Sequence, residues 1–127
     1  MSLLDSDVLI WALRNRPDIV EAVSRLKSKS PTCLSVISIA EIYQNVLPQE
    51  LTLTEQFIYS HAVFPVYDLV AKEAGFIWQQ FSKKTAKLSL ADCLIAATAK
   101  LNGLVLVTMN VKHFSMKEIE VEHPLGF

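Results

Sequence analysis

Three acidic residues stand in apolar company: Asp5 after Leu3-Leu4, Glu41 in Ser38-Ile-Ala-Glu41, and Asp92 in Ser89-Leu-Ala-Asp92-Cys93-Leu94. Carboxylates set among Leu, Ile and Ala are poorly solvated, a costly setting for charges that serve only as surface caps. Brought together, they would repel and raise one another's pKa unless a cation neutralised them. Cys93 reads as a small buried hydrophobe, so the donors are all oxygen, which suits a hard ion, Mg2+ or Mn2+, better than zinc. Mg2+ held by a few carboxylates keeps several waters and is completed by substrate phosphate, which points to phosphoryl transfer or phosphodiester hydrolysis. Singly, Glu41 and Asp92 have a blander explanation, because each follows a Ser by three residues and fits a helix capping box.

The elements that would position these acids follow from periodicity and punctuation. Leu3-Leu4 is a short apolar run, and Val8 to Leu13 suits a helix. Pro17-Asp18 opens a second helix, Thr32 to Ser35 reads as a strand, and Ser38 is expected to cap a third helix running to about Leu47. Thr52 or Thr54 is expected to cap the next, and Val63 to Tyr67 has a strand's bias with Pro65 marking an edge. A long helix from about Leu69 to Lys83 is expected to bury Val70, Ala74, Ile77, Trp78 and Phe81. Another runs from Ser89 to Asn102, with Gly103 able to take the left-handed conformation that ends it. Leu104 to Val107 is the most strand-like run, and a last strand falls within Ile119 to Val121. Strands separated by helices require crossovers, hence an α/β fold with a mainly parallel sheet covered on both faces. In such a sheet the helix N-termini share an edge with the strand C-termini, so Asp5, Glu41, Asp92 and the Thr108-Met-Asn110 stretch converge on one rim.

The rest of the composition narrows the classes. The 127 residues carry 12 Lys+Arg against 13 Asp+Glu, a net charge of −1 that names no polyanionic or polycationic partner. The length fits one domain over 1–127 with a core of its own. Half of the residues are hydrophobic (51%), which excludes disorder, yet charges at Asp68, Asp92 and Lys100 break every apolar run, so no membrane span is expected. The N-terminus lacks the pattern of a signal peptide, and a cytoplasmic protein is expected. Cys33 and Cys93 read as free thiols. The apolar surplus fits a subunit or partner interface as well as a compact core.

The stretches Leu3 to Ile10, Ser38 to Glu41, Leu90 to Ala99 and Val107 to Phe114 resemble, in order and over nearly the whole chain, the PIN-domain nucleases, especially the compact VapC-type toxins of bacterial toxin–antitoxin pairs. The resemblance implies a three-layer α/β/α sandwich around about five strands, a Mg2+- or Mn2+-dependent endoribonuclease that hydrolyses RNA with a metal-activated water, a homodimer and a cognate antitoxin. Carried over by position, Asp5, Glu41 and Asp92 match the three main acids and are expected to hold the metal. The fourth position, often acidic, is Asn110, expected to hold a water or substrate oxygen in a catalytic role, and the Thr108 hydroxyl does likewise. Asp7 stands where Asn is commoner; it either caps the first helix or adds the charge that Asn110 lacks.

RNA would need cations. Arg14, Lys87 and Lys112 are candidate phosphate contacts, with Arg16, Lys83, Lys84 and His113 in the same clusters, although the same residues also fit a solvated face. Trp11 and Trp78 read as core or dimer contacts. Two rival readings remain. Leu-Leu-Asp5-Ser-Asp7 imitates the nucleophile loop of haloacid-dehalogenase-like phosphatases, which leaves Glu41 and Asp92 without work. A PIN-like scaffold with a decayed site would only bind protein or RNA.

Overall fold

A computed structural model describes residues 1–126. The chain runs β1 (Ser2–Leu4), α1 (Ser6–Leu13), α2 (Pro17–Lys29), β2 (Thr32–Ser35), α3 (Val36–Tyr43), α4 (Leu51–Tyr59), β3 (Ala62–Phe64), α5 (Asp68–Phe81), α6 (Leu90–Asn102), β4 (Val105–Val107) and β5 (Val121–Glu122). Short 3-10 turns occupy Pro48–Glu50 and Val111–His113. The five strands form one sheet in the order β3-β2-β1-β4-β5, and every pairing is parallel. β1 is therefore central, flanked by β2 through Leu3↔Cys33 and by β4 through Leu3↔Leu106.

Alternation along the strands divides the core into two layers. Leu3, Cys33 and Leu106 face α5 and α6, where they pack with Val70, Ala74, Ile77 and Ala96. Their neighbours Leu4, Leu34 and Val107 face the other way, onto Val8, Leu9, Ile19 and Ile42 from α1 to α3 and Ile58 from α4. A strand buried on both faces has no polar alternation, which is why these strands read as plain apolar runs. The fold is the three-layer α/β/α arrangement expected from the sequence, with β3 at an edge.

Several local expectations are corrected. Ser35, not Ser38, caps α3: it ends β2 and accepts from the Ile37 N–H at 3.1 Å, so the strand passes into the helix with no linker. α3 stops at Tyr43, well short of Leu47, and α4 begins at Leu51 with no side-chain cap from Thr52 or Thr54. β3 ends before Pro65, and the final strand is Val121–Glu122. Of the two readings of Trp78 and Trp11, the core one is corrected and the dimer-contact one is left standing: they are 42% and 39% exposed, and Trp11 lies under the guanidinium groups of Arg14 and Arg16 at 5.8 and 5.4 Å.

Gly103 ends α6 with φ +63°. A Cβ there would meet nothing within 4 Å, so only backbone strain opposes a side chain. Gly103→Ala is expected to cost about 1 kcal/mol by denaturant titration, through the left-handed backbone alone.

Candidate active site

The C-terminal edge of β1 opens directly into the first turn of α1. Asp5 is the cap of that helix, its Oδ1 accepting from the Ser6 N–H at 2.8 Å. Its backbone N–H extends the sheet by donating to the Val107 carbonyl at 2.9 Å, so the residue is tied to both central strands. The side chain is buried, 6% exposed, and its Oδ2 accepts from the Thr108 hydroxyl at 2.8 Å. Burial, reinforced by the charge of Asp7 and more weakly by that of Asp92, raises its pKa from 3.8 to about 7, although the Thr108 and Ser6 hydrogen bonds pull the other way.

Asp7 lies two residues on, in the first turn of α1, and binds the loop after β4. Its Oδ2 accepts from the Met109 N–H at 3.2 Å and from the Asn110 side-chain amide at 3.0 Å, with the Thr108 hydroxyl at 3.5 Å, while its Oδ1 accepts from the Val8 N–H at 2.7 Å. Burial, more than any other influence, raises its pKa, and the charge of Asp92 adds to the rise. Asp7 is not the cap expected of it, because α1 begins at Ser6 and Asp5 holds the cap position. It bonds the backbone at the start of α1, and it brings charge to the place where Asn110 brings none. Asn110 in turn is exposed, with its backbone N–H donating to Thr108 Oγ1 at 3.0 Å.

Asp92 sits in the capping box expected of it: Ser89 Oγ accepts from the Asp92 N–H and Asp92 Oδ2 accepts from the Ser89 N–H, both at 3.0 Å. The acid is half-buried at the positive end of α6, with His113 Nδ1 at 3.9 Å from Oδ2. The corresponding box for Glu41 does not form. With the cap at Ser35, Glu41 is the sixth residue of α3, beyond reach of the helix's first N–H groups, and its Oε1 accepts instead from the Ser6 hydroxyl at 2.6 Å. Ser6 and Ser38, both buried, share a further hydrogen bond of 2.8 Å. Neither hydroxyl was picked out from the sequence as a site residue. The signal available was a Ser between two Asp residues at a strand-to-helix junction.

No Lys or Arg forms an ion pair with Asp5, Asp7 or Asp92 among the described residues. The same residues contain no group of three acidic, His or Cys side chains close enough to enclose an ion. Buried carboxylates such as Asp5 and Asp7, raised in pKa and without a cationic partner, fit a divalent ion that is held by one or two carboxylates and keeps its waters. Of the expected RNA contacts, Arg14, Lys87 and Lys112 are all exposed. Arg14 and Glu41 line a common groove of about 220 Å³ with Ile10, Leu13, Ile42 and Leu53, between α1, α3 and α4. Lys87 lies two residues before the α6 cap, and Lys112 two after Asn110.

A parallel sheet whose central strand delivers buried acids to its C-terminal edge, joined there by acids from two further helices, is the arrangement of a carboxylate-centred α/β protein. Residues 2–118 match the PIN domain family, and the chain belongs to it. Relatives include Ribonuclease VapC10 of Mycobacterium tuberculosis, 34% identical over 118 residues that cover 93% of this chain and 89% of that protein. A tRNA(fMet)-specific endonuclease VapC of Salmonella typhimurium is 27% identical, with 88% of each chain covered. Among solved structures, DNA-bound VapBC from Salmonella typhimurium superposes with a TM-score of 0.81 at 27% identity, over 98% of this chain and 99% of that one. This membership removes the haloacid-dehalogenase-like reading. No helix among the described residues is long and apolar enough to cross a membrane.

Proposed function

We propose that the chain is a metal-dependent endoribonuclease of the VapC kind, the toxin of a type II pair, and that Asp5, Asp92 and Glu41 bind its Mg2+ or Mn2+, one or two of them directly and the rest through water. The observation that carries this reading is the set of acids at the β1 edge, where burial and neighbouring carboxylates raise the pKa of Asp5 and Asp7 and no Lys or Arg among the described residues pairs with them. When bound, a divalent ion supplies charge neutralisation and activation of water for attack on a phosphodiester. The chain's own groups do the positioning. Thr108 holds Asp5 through its hydroxyl, the α6 N-terminus holds Asp92, and Asn110 presents an exposed amide at the mouth of the site. Arg14, Lys87 and Lys112 are assigned to the RNA phosphates.

The relatives named ribonuclease and endonuclease support the activity, and the Salmonella neighbour, solved as a VapBC complex, supports an antitoxin partner. Exposed apolar side chains such as Leu53 (70%) and Phe76 (63%) fit a chain that covers part of its surface with a second copy or a partner.

The test is cleavage of a panel of structured and single-stranded RNAs by partner-free protein in Mg2+, Mn2+ or EDTA, beside Asp92→Asn. Cutting should require the metal and fall at least about 100-fold in the folded variant. Wild-type protein that is inert in every metal and whose melting temperature ignores Mn2+ would support the decayed binding scaffold instead.

A further inference from the structure

The Ser6 hydroxyl touches two oxygens at short range, Glu41 Oε1 at 2.6 Å and Ser38 Oγ at 2.8 Å, and it has one proton to give. An ionised carboxylate accepts only, so that proton goes to Glu41 and Ser38 must donate its own to Ser6. The chain of bonds therefore has one direction, Ser38 to Ser6 to Glu41. It joins the first residue of α1 to two residues three apart on one face of α3. Both hydroxyls are buried, Ser38 completely. Glu41 is only half-buried, and its Oε2 accepts no hydrogen bond from the described residues.

We infer that Ser6, oriented by Ser38, is a positioning residue for Glu41: it fixes Oε1 against the turn that carries Asp5 and Asp7 and leaves Oε2 as the oxygen for a metal, its water or substrate. This rests on the metal-nuclease reading above. A flexible Glu side chain would otherwise have to be ordered at the moment of binding, and prior ordering strengthens binding. Ser38 acts only through Ser6, so its effect exists only while the Ser6 hydroxyl is present.

The experiment is calorimetric titration of Mn2+ into wild type, Ser6→Ala, Ser6→Thr, Ser38→Ala and the double Ala variant, with melting curves in EDTA beside them. Ser6→Ala should weaken Mn2+ binding about tenfold, Ser6→Thr should restore it to within about threefold, and Ser38→Ala should cost less than Ser6→Ala. The double variant should bind no more weakly than Ser6→Ala alone, as expected where Ser38 acts only through the Ser6 hydroxyl, and the return of affinity in Ser6→Thr marks that hydroxyl as the group responsible. Wild-type affinity in Ser6→Ala, or losses that multiply in the double variant, would overturn the positioning role while leaving the nuclease reading intact. A wild-type protein that binds no Mn2+ overturns both.

Discussion

Metal-free Asp5→Asn protein is expected to be more stable than wild type at pH 8 and to cleave RNA at least about 1,000-fold more slowly with metal present. The stability gain follows from the raised pKa. In the unfolded chain Asp5 loses its proton near 3.8, whereas in the folded protein it keeps it to about 7. Between those values the folded state holds a proton that the unfolded state has released, so wild-type stability falls as the pH rises, and above 7 the full cost of the buried charge is in place. At about 1.4 kcal/mol for each tenfold change the cost is on the order of 4 kcal/mol. Asn carries no charge and can still accept from the Ser6 N–H while donating to Thr108. The gap in melting temperature between variant and wild type, measured in EDTA, should be near zero at pH 4, open through pH 7 and reach roughly 10–20 °C at pH 8. A gap of the opposite sign at pH 8 would mean that the folded protein already compensates the Asp5 charge.

Asp7, two residues on, should behave in the opposite way. Although burial raises its pKa too, its carboxylate accepts from the Met109 N–H, the Asn110 amide and the Val8 N–H. Asp7→Ala removes the acceptors for two backbone donors, and with them the tie between α1 and the loop after β4. Hydrogen bonds to charged groups are worth about 1.5–3 kcal/mol each, and relief of the repulsion with Asp5 and Asp92 returns part of the loss. A net destabilisation of about 2–3 kcal/mol, or a melting temperature lower by roughly 10 °C, is expected in EDTA at pH 8. The two substitutions thus differ in sign because Asn at position 5 keeps the hydrogen bonds of the acid whereas Ala at position 7 removes them, and melting both variants side by side tests the distinction.

The difference between these acids marks how far the sequence can be read. Where the deciding interaction is local, the letters suffice. Thr32 to Ser35 is a strand with the bounds expected, Ser89 and Asp92 close their capping box, and Gly103 takes the left-handed turn. Glu41 has the same local pattern as Asp92 and a different fate, because Ser38 is drawn into a buried contact with Ser6, 32 residues away, and the cap passes to Ser35. The convergence of acids on one sheet edge was legible from the alternation of elements alone. Which oxygens pair within it was not, since the bonds from Thr108 to Asp5 and from Asn110 to Asp7 each span 103 residues. Trp11 misleads for another reason: an aromatic ring satisfied by two guanidiniums at the surface has the same letter as one in a core.

The central position of β1, with β4 as its neighbour, also bears on the order of events during synthesis. Asp5 is made about a hundred residues before β4, the strand that flanks β1, and before the Thr108 hydroxyl that holds it. An all-parallel sheet allows no local hairpin to stand in meanwhile, so pairings of high sequence separation must wait for the late strand. The bonds that tie Asp5 to Thr108 and Asp7 to the loop after β4 therefore form only once Val105–Thr108 has been made and has docked, whereas the contact of Glu41 with Ser6 needs no late strand.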